Sequence, residues 1–276
     1  MSQNANINPM QLSQSVELRE SVTVLNEGQK IFGMLHKPVS QTPFPIVMLL
    51  HGLGGHKVGR YRVGVDTSAR LAAIGIGTIR FDFRGCGDSE GEYSKMTVES
   101  QVSDALAILR YIQEHPEVDQ QRIGILGRSL GSALSIMAAA QLGTVKTMCL
   151  WAPLFDGEQW LPIYQKHPTV VHDKEKEEEL MTLDGQTPGL EFYHQFFRID
   201  LRSSLQKLEH VPMLFIHGCQ DKNVFFSHSE KYLHARKNAP AETRLIQLPL
   251  SDHHFTPLNE RRIAINETVR WFEKTL

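Results

Sequence analysis

Residues 122–131 run Arg122-Ile123-Gly124-Ile125-Leu126-Gly127-Arg128-Ser129-Leu130-Gly131. The first six make a short apolar strand, and the Ala-rich stretch at 132–142 is a helix suited to close packing. Gly127-Arg128-Ser129-Leu130-Gly131 therefore falls at a strand-to-helix junction. A serine there sits on a very tight turn, where neighbouring chain passes too close for a Cβ on either side, so glycine is favoured at both flanks. The turn exposes the Ser129 hydroxyl at a helix N-terminus, where the helix dipole favours negative charge. A plain Gly-rich helix start would show the same five letters, so the reading depends on what surrounds them.

Working outward, strands and helices alternate. Residues 22–25 and 31–35 form two early strands around the turn Asn26-Glu27-Gly28. The run Pro45-Ile46-Val47-Met48-Leu49-Leu50 is apolar without alternation, as a parallel strand buried on both faces requires. A helix over 66–74, a strand over 76–83 and a long amphipathic helix follow. In that helix Val98, Val102, Ala105, Leu109 and Ile112 share one face. Residues 145–151 form the next strand. The rhythm stops between Pro153 and Val211 and resumes with a strand at 213–218, a helix near 227–237, a strand at 244–248 and a closing helix. This alternation predicts an α/β fold with a doubly wound, mostly parallel sheet covered on both faces. Core segments 16–153 and 211–276 flank a helical insertion at 154–210, and residues 1–15, rich in Gln, Asn and Ser, form a flexible tail. The charged run 173–179 is a solvated helix face.

Composition narrows the function. The 276 residues carry 29 basic and 31 acidic side chains, net −2, and lack the basic excess of a nucleic-acid-binding surface. The longest apolar run is five residues, too short for a membrane span. Surface scaling lets roughly three quarters of the chain's surface be buried without a metal or disulfide staple. Three scattered cysteines, Cys86, Cys149 and Cys219, are read as reduced thiols of a cytoplasmic protein. The N-terminus has no basic leader or apolar stretch and is not a signal peptide. GxGxxG after the first strand, GxxxxGK[ST], HExxH and paired Cys or His spacings are missing, so no cofactor and no metal are expected. Assembly as a homodimer stays open.

A serine hydroxyl needs a base, and the base needs an orienting acid. His217-Gly218-Cys219-Gln220-Asp221 follows one predicted strand and Ser251-Asp252-His253-His254-Phe255 follows the last. Both lie at carboxyl ends of parallel strands, where open α/β sheets place their ligand crevice. Ser129, Asp221 and His253 can therefore meet as nucleophile, acid and base. Asp252, directly before the histidine, is the rival acid and reads better as a turn former; His254 is the rival base. His51-Gly52-Leu53-Gly54-Gly55, at another strand end, supplies the Leu53 N–H, which with the Leu130 N–H is the candidate oxyanion hole. His51 reads as structural, Asp82, Arg84 and Asp88 as loop braces, and Cys219 as a small packing group. Trp160, Tyr164 and Phe196, with Phe192, Tyr193 and Phe197, either line a substrate pocket or form a small core of the insertion.

HGLGG (51–55), FDFRGCGDSEG (81–91), GRSLG (127–131), HGCQD (217–221) and SDHHF (251–255) stand in this order, and the chain from residue 16 onward resembles the α/β-hydrolase superfamily. It is most similar there to small bacterial carboxylesterases of the cinnamoyl or feruloyl esterase type and to serine-aminopeptidase-like hydrolases. That branch often has an aromatic residue after His51-Gly52, whereas this chain has Leu53. The resemblance implies a cap at 154–210, His253 rather than His254 as base, and a serine carboxylesterase acting on small acyl or aryl-acyl esters through an acyl-enzyme. A thioesterase, small-peptide hydrolase or acyltransferase would use the same triad. A non-catalytic ligand-binding protein is the alternative of another class.

Overall fold

The computed structural model of the chain describes residues 17–39, 42–162 and 187–276. The predicted tail, the charged run 173–179 and Tyr164 lie outside them. Eight strands form one sheet: β1 (Glu17–Asn26), β2 (Gln29–Pro38), β3 (Phe44–Leu50), β4 (Gly77–Phe81), β5 (Val118–Arg128), β6 (Thr147–Trp151), β7 (Met213–Gly218) and β8 (Thr243–Leu248), in the order β1-β2-β4-β3-β5-β6-β7-β8. β1 and β2 are antiparallel, in register from Glu17↔Pro38 to Asn26↔Gln29, and β2 runs antiparallel to β4. Their hairpin turns on Glu27 (φ 49°) and Gly28 (φ 81°), both left-handed, which matches the twist of a two-residue hairpin loop. From β4 to β8 every pairing is parallel.

The uninterrupted apolar strands mark a sheet with two dry faces. Ile46, Met48 and Leu50 of β3 enter one hydrophobic core, and the alternate Val47 and Leu49 enter a second. β7 divides the same way, with Met213 and Phe215 in the first core and Leu214 and Ile216 in the second. Period-two alternation splits each strand between the two cores. On the first face pack α2 (Val98–Glu114) and α3 (Leu130–Leu142). The stripe Val98, Val102, Ala105, Leu109 and Ile112 is buried as its spacing predicts. Thr97 caps α2: its hydroxyl accepts from the Ser100 N–H, and the Ser100 hydroxyl accepts from the Thr97 N–H. On the second face α1 (Val63–Ala72) lies beside the closing helix at Leu258–Thr275. Gly124 of β5 leaves room for that helix, since a Cβ there would stand 2.8 Å from the Phe272 ring.

Element bounds shift where pairing overrides local composition. β5 starts at Val118, ahead of its apolar run, because Val118 pairs with Phe44 before a register shift leads to Ile46↔Ile123. The two N-terminal strands extend to ten residues each because their ladder is continuous. Within 154–210 the described residues form a short turn at Glu158–Trp160, α4 (Leu190–Phe196) and α5 (Arg202–Lys207). Phe192 and Phe196 of α4 are buried in the first core. Among the described residues, no helix is long and apolar enough to cross a membrane.

Candidate active site

Four loops leave the carboxyl ends of β3, β5, β7 and β8 and border a cavity of about 660 Å³. That is the size of a small-molecule site. Ser129 follows β5 with φ 54° and ψ −125°, a conformation that costs of order 1–3 kcal/mol for a residue other than glycine. The fold leaves it little alternative. A Cβ on Gly131 would come within 2.5 Å of the His51 carbonyl oxygen, and one on Gly127 within 2.4 Å of the Ser135 hydroxyl. Gly52 faces the turn from β3, and its absent Cβ would sit 2.9 Å from the Ser129 Cβ. The Ser129 N–H donates to the Trp151 carbonyl of the neighbouring strand (2.9 Å). These contacts hold the side chain on the cavity wall.

The candidate acid and base come from the loops after β7 and β8. The His253 Nδ1–H donates to Asp221 Oδ2 at 2.7 Å, with both residues largely buried. Asp221 Oδ1 accepts from the N–H groups of Asn223 (2.8 Å) and Val224 (2.9 Å). Burial opposes ionisation of Asp221, but hydrogen bonds from His217 and His253, the nearby His253 charge and the Val224 N–H hold its carboxyl well below the usual carboxylate range. His253 and Ser129 line the same cavity. Among the described residues, the Ser129 and His253 side chains do not hydrogen-bond to each other; catalytic hydrogen bonds of this kind tighten when substrate binds.

The adjacent histidines have different partners. His254 Nδ1 accepts from Arg128 Nη2 (2.8 Å), and its ring stands 5.3 Å from that of His253 at 74°. Burial first, then the Arg128 charge, pushes the His254 pKa down to about 4, so it is neutral at pH 7. Asp252 forms a turn, accepting from the N–H groups of His254 and Thr256 (3.0 Å each) and from the Thr256 hydroxyl (2.7 Å). His51 is a brace. Its Nδ1–H donates to the Gly52 carbonyl (2.8 Å), its Nε2 accepts from the Phe83 N–H (3.1 Å), and burial lowers its pKa to about 4. Asp82 gathers the Lys57 ammonium (2.6 Å) and the Asp88 N–H (3.0 Å), and Arg84 pairs with Asp104 (2.6 Å). Leu53 and Leu130 both line the cavity. Leu130 opens α3, so its N–H is one of those a helix leaves without an internal partner.

Trp160 and Phe196 meet edge to face at 5.2 Å on the cavity wall, joined by Phe192, Tyr193 and Phe197. The two readings of these aromatics merge, since Phe192, Tyr193 and Phe196 are also buried in the first core. Two further residues have positions that their local sequence hides. His217 is fully buried; its Nδ1 accepts from the Ser229 hydroxyl (2.7 Å), and its Nε2–H is shared between Asp221 Oδ2 (3.2 Å) and the Val224 carbonyl (3.0 Å). The four-residue spacing of His217 and Asp221 within HGCQD was the available signal. Arg128 Nη2 also donates to the His253 carbonyl (3.0 Å), a contact across 125 residues that no local pattern announces.

Comparison with known proteins places the chain in a family. The profile of the prolyl oligopeptidase family matches residues 67–276, a span that holds Ser129, Asp221 and His253. The chain belongs to the prolyl oligopeptidase family. Its fold is that of the α/β-hydrolases: the Est1E structure from Butyrivibrio proteoclasticus, with ferulic acid bound, superposes with a TM-score of 0.73 at 22% identity, covering 91% of this chain and 98% of that one. Among sequence relatives, the peptidase YtmA of Bacillus subtilis, itself uncharacterized, is 26% identical over 268 residues, 95% of each chain. The quorum-quenching protein AidA of Acinetobacter baumannii is 29% identical over 129 residues, 46% of this chain. The chain spans about two fifths of the first curated relatives it matches, 41% in the case of AidA. This member of the prolyl oligopeptidase family keeps its Ser, Asp and His in the order in which its strands deliver them.

Proposed function

We propose that the protein is a serine hydrolase that cleaves carboxylic esters through an acyl-enzyme. The observation that carries this reading is a serine on a strained strand-to-helix turn, sharing one cavity with a histidine that is hydrogen-bonded to a buried carboxylate. Ser129 Oγ attacks the ester carbonyl while His253 Nε2 takes its proton. Asp221 keeps His253 in the Nδ1–H tautomer and stabilises the imidazolium. The Leu53 and Leu130 amides hold the tetrahedral oxyanion, each donor contributing about 2.7–4 kcal/mol to the transition state. The imidazolium returns its proton to the departing alkoxide. Water, deprotonated by His253, then releases the acid and regenerates Ser129.

Small acyl or aryl-acyl esters are the proposed substrates. The aromatic wall around Trp160 and Phe196 and the cavity size support this, as does the likeness to the fold of Est1E with its bound ferulic acid. In this reading residues 154–210 act as a cap. Three free cysteines fit a reducing compartment and support a cytoplasmic enzyme. Family membership favours a second reading, peptide hydrolysis by the same triad. A panel of 4-nitrophenyl esters, thioesters and peptide 4-nitroanilides separates the two, with ester turnover expected to dominate; faster anilide cleavage would establish the peptidase. Fluorophosphonate labelling at Ser129 is expected, and absence of labelling would leave a ligand-binding protein with an idle triad.

A further inference from the structure

The cavity has a charge pattern that ester hydrolysis alone does not require. Arg60, Arg128 and Lys222 reach its wall, and among the described residues no carboxylate does. With 29 basic and 31 acidic side chains in the chain, an arbitrary surface with three cations would hold about as many carboxylates. Among the described residues, none of the three cations forms an ion pair. Lys57, a neighbour in sequence, shows the usual situation, being tied to both Asp82 and Asp88. The carboxylates acting on Arg128 at a distance, Asp221 and Asp252, are committed to His217, His253, Thr256 and backbone N–H groups.

Arg128 is the more telling of the cations. Its Nη2 donates to two neutral acceptors, the His253 carbonyl and His254 Nδ1, so its charge is oriented but not neutralised. A guanidinium carries five N–H donors, and those on Nε and Nη1 remain for another partner. Arg60 stands close enough to repel the charge on Arg128. Two like charges facing one cavity favour an anion within it.

The backbone around Arg60 turns sharply, and its guanidinium lies 5.5 Å from the Tyr61 ring. Gly59 (φ 72°), Tyr61 (φ 58°) and Arg62 (φ 60°) are left-handed, which is strained for tyrosine and arginine. The Tyr61 ring lies under the Arg261 guanidinium (4.3 Å), and its hydroxyl is 3.3 Å from Thr256 Oγ1. The segment carrying Arg60 is thereby fastened to the loop that carries His253 and His254.

We propose that the Arg60–Arg128 side of the cavity binds an anionic group of the substrate, so that the preferred ester bears a carboxylate or a phosphate near its scissile bond. This rests on the hydrolase reading and narrows its substrate class. The test uses two matched pairs. The mono-4-nitrophenyl ester of glutaric acid is compared with its methyl-capped neutral partner, and 2-phosphoethyl butyrate with 2-methoxyethyl butyrate. In at least one pair the anionic member should have a kcat/KM higher by about ten-fold, the scale of one charge-assisted hydrogen bond. The ratio should shrink at high salt and in Arg60→Gln, and recover in Arg60→Lys. The pair that responds tells an acyl-side carboxylate from an alcohol-side phosphate. Equal or faster turnover of the neutral member in both pairs, or a preference unchanged in Arg60→Gln, overturns the proposal. Calorimetry with Ser129→Ala and the same esters reads binding without turnover. If the wild type cleaves nothing and Ser129 is not labelled, the hydrolase reading fails, while tighter calorimetric binding of an anionic ester would still uphold the anion site.

Discussion

At Ser129 the chain is held by exclusion: Gly127, Gly131 and Gly52 are glycines because a Cβ would collide with Ser135, His51 or Ser129 itself. At His253 the chain is held by attraction, through Asp221 on its ring and Arg128 on its carbonyl. The first arrangement tolerates no added atom, while the second tolerates no lost charge or hydrogen bond. The two regions should therefore fail in different ways when perturbed.

The largest effect is expected at the proposed nucleophile. Ser129→Ala should lower turnover of an activated butyrate ester by roughly 10⁴–10⁶-fold with an unchanged circular dichroism spectrum; a variant retaining activity would point to another nucleophile. Next comes the bonded side. Asp221→Asn presents an amide N–H to His253, favours the wrong tautomer, and should cost about 10⁴-fold in kcat with little change in KM. Steady-state kinetics that stay within ten-fold of wild type would remove Asp221 from its assigned role. The excluded side should respond in stability. Gly131→Ala gains at most about 1 kcal/mol of helix propensity. It also drives a Cβ to 2.5 Å and 2.6 Å from the His51 and Leu50 carbonyl oxygens, an overlap of the kind that costs about 1–3 kcal/mol or more. The clash outweighs the propensity, so thermal unfolding should shift down; an unchanged or raised Tm would mean that β3 and α3 separate easily.

The smallest effect is graded and depends on pH. His51, His254 and His228, the last on the helix at Ser227–Ala235 with its Nδ1 accepting from the Phe155 N–H (3.0 Å), have pKa values pushed down to about 4, chiefly by burial, against an unfolded value near 6.5. Below pH 6.5 the unfolded chain takes up protons that the folded chain refuses. The stabilisation from these neutral rings is complete above pH 6.5 and is lost as the pH falls toward 4. The Tm should decline through that window, and His228→Gln should flatten the decline. A Tm independent of pH from 7 to 4 would contradict the buried neutral state.

The same contrast explains what the sequence discloses. Steric necessity leaves a mark at fixed spacing, so GRSLG and HGLGG announced the turn and the loop facing it. Parallel strands buried on both faces leave continuous apolar runs, so β3 and β7 were plain, and the stripe of α2 followed from its spacing. Hydrogen-bond partners carry no such mark. Arg128 reads as an arbitrary letter between Gly127 and Ser129, and only the packing of β5 beside the last loop gives it the His253 carbonyl. His217 was visible as a letter of HGCQD but not as a second donor to Asp221. The start of β5 at Val118 was hidden because its pairing with Phe44 depends on a register shift rather than on hydrophobicity.

Arg128 has one consequence beyond the anion site. It directly precedes Ser129 and also grips the His253 carbonyl, so a single side chain ties the serine turn to the loop that carries the histidine. Shear between the fifth strand and the final loop would stretch that clasp, so residue 128 couples the two segments mechanically as well as electrostatically.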